Sequence, residues 1–201
     1  MNAKRFLLTL SVILCGMCCW ADSPLTSTPF HNAYTTPMTE MALDVKGEIP
    51  LTMLSYLADQ KNPIAERLAI VNGLGWDFNG KTTGAQLGVY LMNRFNVKNE
   101  KKLAKKLDAG TLAVYAYAKA MSNYFDVKDA KALAAEAVKK DRTKSFSIRM
   151  VSALIQAQQY LDSDWSMVYQ VVNDVMTDGK LNVDMRQEAI DIIWDYIKNY
   201  K

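Results

Sequence analysis

Apolar residues recur at three- and four-residue spacing along most of this chain, and the pattern is densest between Thr111 and Leu161. From Thr111 to Phe125, Val114, Tyr117, Met121 and Tyr124 form one row, Tyr115, Ala118 and Phe125 widen it, and Lys119 is the only charge. A helix with so wide an apolar surface needs neighbours on two sides. Ser145 to Leu161 repeats the theme: Phe146, Met150, Ala153, Leu154, Ala157 and Leu161 form one row, and Ile148, Val151 and Ile155 a second. Between these two stretches lies an Ala-rich amphipathic segment from Asp126 to Lys140. Together they predict a buried helical centre.

The flanking segments punctuate in the same language. Thr36-Pro37 opens a helix to about Val45, ended by Gly47, and Pro50 opens another to about Asp59. Asn62-Pro63 repeats the cap-then-proline signal, with Ile64, Leu68, Val71 and Leu74 as the buried row and Gly73 and Gly75 as the stop. A helix on Leu87, Tyr90, Leu91 and Phe95 follows the loop Gly75 to Thr82, Asn99 caps a brief one through Leu107, and Gly110 is read as a break. Trp165, Val168, Tyr169, Val172, Val175 and Met176 predict a further helix closed by Asp178-Gly179. Ile190, Ile193, Trp194 and Ile197 predict a last one from about Val183 to Tyr200. No segment sustains two-residue alternation, so the expected class is all-α: antiparallel helix pairs, with a short tetratricopeptide-like α-solenoid as the finer form.

The central spacing carries that finer form. Val114, Tyr117, Ala118, Met121, Ala130 and Ala137, with Asp141-Arg142 after the second helix, resemble a tetratricopeptide repeat, whose unit is about 34 residues long. Val114 stands where the family usually has Trp, and Arg142 where it has Pro. A second unit starts near Ser145, with Ile148, Val151, Ser152 and Ile155 at matching slots, and the resemblance covers residues 111 to about 176. It implies stacked antiparallel helix pairs with a concave peptide-binding face.

The first residues read differently. Lys4 and Arg5 precede the apolar run Phe6 to Cys15 and a small-residue end at Cys19-Trp20-Ala21, the layout of a signal peptide cleaved after Ala21. The apolar run is shorter than the roughly 20 residues a bilayer requires. The expected mature chain is therefore secreted or periplasmic, with no membrane association after cleavage. All three cysteines lie in this leader, so the mature fold is expected to hold without disulfides. The formal charge of +3 for the full sequence falls further once Lys4 and Arg5 are removed, which gives no global attraction to nucleic acid or anionic membrane. Asp22 to Thr36, rich in Pro, Ser and Thr, is expected to be an extended arm pinned by Phe30 and Tyr34, followed by one helical domain over residues 37–201.

No cluster of residue types dictates a reaction. Gly75-Trp76-Asp77-Phe78-Asn79-Gly80-Lys81-Thr82 matches the phosphate-loop spacing, but two bulky aromatics fill the would-be cradle and the preceding row is helical. Asp174, Asp178 and Gly179 imitate part of a calcium loop, yet Met176 and Met185 stand at two ligand positions. His31, the only histidine, has no metal-ligating partner in the sequence and reads as an arm-packing residue. Asp191 and Asp195 share a helix face that solvent explains, and Lys98, Lys101, Lys102, Lys105 and Lys106 make a basic stripe without interleaved aromatics. No metal or cofactor is expected. Binding or scaffolding of a protein or peptide partner is favoured, with Trp76, Asp77, Phe78, Asn79 and Lys81 as the candidate contact residues: two aromatic anchors inside a polar rim. The alternatives left open are a hydrolase using carboxylates and a nucleotide binder through the Gly75 to Thr82 loop.

Overall fold

The computed structural model describes residues 22–76 and 82–201. The leader, on which the signal-peptide reading falls, and residues 77–81 lie outside them. The described residues form ten α-helices: α1 (Pro37–Asp44), α2 (Leu51–Leu57), α3 (Ile64–Leu74), α4 (Thr83–Arg94), α5 (Glu100–Lys106), α6 (Ala109–Ser122), α7 (Lys128–Lys140), α8 (Phe146–Tyr160), α9 (Trp165–Thr177) and α10 (Gln187–Ile197). Short 3-10 turns add Phe30–Ala33 and Lys198–Tyr200. Among the described residues there is no β-strand, only one isolated bridge between Ser145 and Asn182. None of the helices is long and apolar enough to cross a membrane.

The centre lies where the apolar pattern is densest. α6 packs against α3, α4, α7 and α8, while α8 also packs against α7, α9 and α3. Leu112, Val114 and Tyr117 of α6 are fully buried, and so are Ala116, Ala118 and Ala120, whose small side chains admit neighbouring helices from several directions. Helix α9 sits at the edge: Val168 and Val172 of its apolar row are fully buried, Tyr169, Val175 and Met176 pack partly buried against the core, and Trp165 does not join them. Trp165 remains 66% exposed, with its Nε1 donating to the Leu161 carbonyl at 2.8 Å.

Local chemistry sets the helix ends. Thr36 and Thr39 exchange reciprocal backbone-to-hydroxyl bonds at 3.3 and 2.9 Å, with Pro37 as first helical residue of α1. Asn99 and Ser145 accept from Lys102 and Ile148 backbone N–H groups as caps of α5 and α8. Asn62 does not cap α3: Pro63 holds that position, and the Asn62 amide instead donates to the Tyr56 carbonyl at 2.9 Å.

Gly110 is likewise no break. α6 already begins at Ala109, because Asp108 caps it by accepting from Thr111 N at 2.9 Å. The reason for glycine is a close approach: a Cβ there would stand 2.6 Å from Arg67 Nη2. Arg67 is 2% exposed, and its Nη1 donates to Thr111 Oγ1 at 3.1 Å. Burial lowers its pKa, while Asp108 and Asp59 oppose that by favouring the cation. Gly84 and Gly88 serve the same purpose between α4 and α6, where added Cβ atoms would lie 2.9 Å from Ser122 Oγ and 2.8 Å from the Tyr115 hydroxyl.

The Pro/Ser/Thr-rich arm is more deeply embedded than its composition implies. It makes a turn at residues 24–26 and the 3-10 turn Phe30–Ala33, and Leu25 and Phe30 are fully buried. Phe30 stacks on Tyr117 at 6.0 Å, and the turn packs against both α3 and α10. Arg186, just before α10, donates from Nη1 to the Ala33 carbonyl at 2.7 Å and lies 4.9 Å from the Tyr34 ring centroid. The arm thereby ties the beginning of the fold to its end.

Between α5 and α6, Glu100 accepts at 2.7 Å from both Lys119 Nζ and the Tyr115 hydroxyl. Partial burial pushes its pKa up, but the two hydrogen bonds and the Lys119 charge outweigh that and leave it below the ordinary 4.5. A carboxylate with a depressed folded-state pKa contributes stability above its unfolded value, and that stability is lost as pH falls through the folded value. Between about pH 5 and pH 3, the Glu100→Gln variant should therefore lose less thermal stability than the wild type. Parallel melting curves showing equal slopes would remove this contribution.

Candidate functional site

The site begins where α6 stops. The Asn123 N–H still bonds to the Lys119 carbonyl at 3.2 Å, but its backbone leaves the helical region and the chain turns toward α7. Periodicity therefore no longer governs the next two aromatics. Tyr124 falls inward and is 8% exposed, whereas Phe125, which the sequence pattern places on the apolar stripe, is 85% exposed. Their rings are 4.2 Å apart at 32°. Trp76, half-buried against the core cluster, meets Tyr124 edge-on at 5.4 Å and 81°. The buried Tyr124 ring thus lies between the half-buried Trp76 and the exposed Phe125 and braces the latter.

Phe125 stands on a cavity of about 590 Å³ formed by the start of the arm, the α6–α7 turn and the end of α8. Asp22, Asp126, Lys128, Gln158 and Asp162 contribute polar groups to its wall. Gln158 Oε1 itself is buried beneath the wall, with no hydrogen-bond partner among the described residues. Gln159, its neighbour, is already engaged, accepting from Lys131 Nζ at 2.7 Å. Beside Asp22 the hydroxyls of Tyr196 and Tyr200 lie 2.5 Å apart. Burial first, then the Tyr200 hydroxyl and the Asp22 carboxylate, push the Tyr196 pKa up, so this pair stays protonated at neutral pH. Burial likewise raises the pKa of Tyr124.

Of the contact residues named from sequence, the structure positions Trp76, while Asp77, Phe78, Asn79 and Lys81 lie outside the described residues. The loop that carries them joins α3 to α4, with Gly75 at φ +75°, a backbone conformation that favours glycine. A helix rather than a strand precedes it, which is not the setting of a phosphate loop. The sequence pattern marks neither Gln158 nor Asp162, and it puts Phe125 on the apolar stripe rather than at a site. The available signal was local: Ser122-Asn123 ahead of the two aromatics and Asp126 behind them are turn-forming residues, and a helix ending there frees Phe125 from the stripe.

His31 belongs to the arm's anchorage. Its Nδ1 lies 2.7 Å from Asn72 Oδ1, an atom that only accepts, so Nδ1 carries the proton. The same oxygen accepts from His31 N at 2.9 Å, while Asn72 Nδ2 donates to the Thr28 carbonyl and to the Tyr117 hydroxyl. The ring is fixed as a structural tie between the arm and the core.

The wall of the Phe125 cavity combines a flat exposed ring with carboxylates, a carboxamide and an ammonium. Such a set suits non-covalent recognition: a ring to stack on and polar groups to orient what is bound. No protein-family model matches the chain, and neither a curated protein nor a solved structure does.

Proposed function

We propose that this chain is an exported binding module, that its working site is the Phe125 cavity, and that its ligand is a protein or peptide segment. The observation that carries this reading is the 85% exposure of Phe125 on rings that hold it in place. A large aromatic exposed to water is unfavourable for the free protein, and one already braced by Tyr124 loses little conformational freedom on binding. Aromatic anchors of this kind dominate protein interfaces. Export enters this reading from the leader sequence alone.

The repeat resemblance supports a peptide ligand but shifts its place. Under that resemblance α6 with α7 and α8 with α9 are the stacked pairs, as their mutual packing allows. Helix α3 packs on both α6 and α8, the leading helices of the two pairs, so one side of the stack is occupied by the chain itself. The open feature near the α6–α7 turn then becomes the docking point. Selection of a random peptide library on the immobilised mature chain tests the reading. Sequences enriched by the wild type should be lost, with at least a tenfold drop in affinity, on Phe125→Ala, whose melting temperature should stay within about 2 °C of the wild type. Enrichment that survives Phe125→Ala, or no enrichment, would overturn the site.

A further inference from the structure

We infer that the peptide taken at the Phe125 cavity presents an arginine, its guanidinium stacked on the Phe125 ring and held by the surrounding carboxylates. This rests on the peptide-binding reading above and adds to it the chemistry of the ligand. The argument starts from charge. Asp22, Asp126 and Asp162 line the cavity against Lys128 and, in a chain cleaved after Ala21, the α-amino group of Asp22, so carboxylates still outnumber cations there. An anionic segment would meet net repulsion there, whereas a cationic one gains attraction in a recess that bulk water screens less than an open surface.

Hydrogen-bonding capacity points the same way. Ionised carboxylates only accept hydrogen bonds. The complement of a wall with three carboxylates is a group rich in N–H donors. Both lysine and arginine supply donors, but the ring distinguishes them. Phe125 offers a flat face, with Tyr124 packed 4.2 Å behind it. A guanidinium is planar, weakly hydrated and able to stack on a ring while its edge N–H groups reach acceptors at the side. An ammonium is compact and strongly hydrated, and does not match a ring and a rim of acceptors together. The cavity, at about 590 Å³, has room for such a side chain with flanking apolar residues.

Asp162 is the clean handle for the test. It is exposed just past the end of α8, so Asp162→Asn changes charge without disturbing the core. Calorimetric titration of the mature chain would use three matched probes: acetyl-Ala-Phe-Arg-Phe-Ala-amide and its counterparts with Gln or Glu in place of Arg. The Arg peptide should bind at least about tenfold tighter than the Gln peptide, and the Glu peptide weakest. Asp162→Asn should cut the Arg-over-Gln ratio to about threefold or less, and raising salt from about 0.05 M to 0.5 M should narrow it in the wild type. Equal affinities for all three would overturn cation selection and leave the peptide site standing. Arginine amide alone binding as tightly as the Arg peptide would overturn the peptide occupant in favour of a small cation. No binding by any probe at about 1 mM would overturn both readings.

Discussion

Phe30→Ala is expected to destabilise the protein by roughly 3 to 5 kcal/mol, one of the largest losses available to a single substitution in this chain. Phe30 is fully buried although it lies in a segment whose composition reads as a surface arm. Its ring stacks on Tyr117, a fully buried residue of the central helix, so truncation leaves a cavity against the least yielding part of the core. The neighbouring backbone cannot collapse freely into that space, because the 3-10 turn is held from two sides by α3 and α10. Chemical denaturation should show a lower midpoint with a nearly unchanged slope, and thermal melting a drop of about 10 °C or more. Phe30→Leu, which keeps most of the volume, should recover much of the loss. A change below about 1 kcal/mol for the alanine variant would mean that the arm does not contribute to the cooperative fold.

Asn72→Ala should cost at least about 3 kcal/mol for a different reason. The carboxamide satisfies four groups at once: the His31 N–H, His31 Nδ1, the Thr28 carbonyl and the Tyr117 hydroxyl. Thr28 and Tyr117 are fully buried, so water does not readily replace what is lost. Each buried polar group left unpaired costs roughly 1 to 3 kcal/mol, whereas removing the Tyr117 hydroxyl in Tyr117→Phe takes away only one partner and should cost about 1 kcal/mol. Measuring both single variants and the double variant by denaturant unfolding gives the coupling between them. The prediction fails if the two losses add without interaction, since Asn72 would then not be bonded to Tyr117 in solution.

These two variants act on the same join, which also bears on the binding reading. The arm places Asp22 at the Phe125 cavity and, a few residues later, enters the core at Leu25 and Phe30. Loosening the arm should therefore weaken peptide capture as well as stability, whereas Phe125→Ala should weaken capture alone. That contrast separates the wall of the site from its anchor ring.

The sequence by itself determined the all-α class, the paired helices and the identity of the central one, because three- and four-residue apolar spacing and residues such as Asn99, Ser145 and Thr36 act over one or two turns. It also marked Trp76 as an aromatic of the Gly75 to Thr82 loop. Only the tertiary structure decided the positions governed by contacts distant in sequence. Gly110 reads as a break until Arg67 approaches it from α3, and Trp165 reads as core until α9 proves to be an edge helix. Phe125 belongs to the stripe until α6 ends three residues before it. The cavity beside Phe125 is assembled from the arm, the α6–α7 turn and the end of α8, segments distant from one another in sequence. Periodicity reports which face of one helix is apolar. It carries no information about which other segment arrives to cover that face, and Phe125 stays 85% exposed beside segments that cover Tyr124.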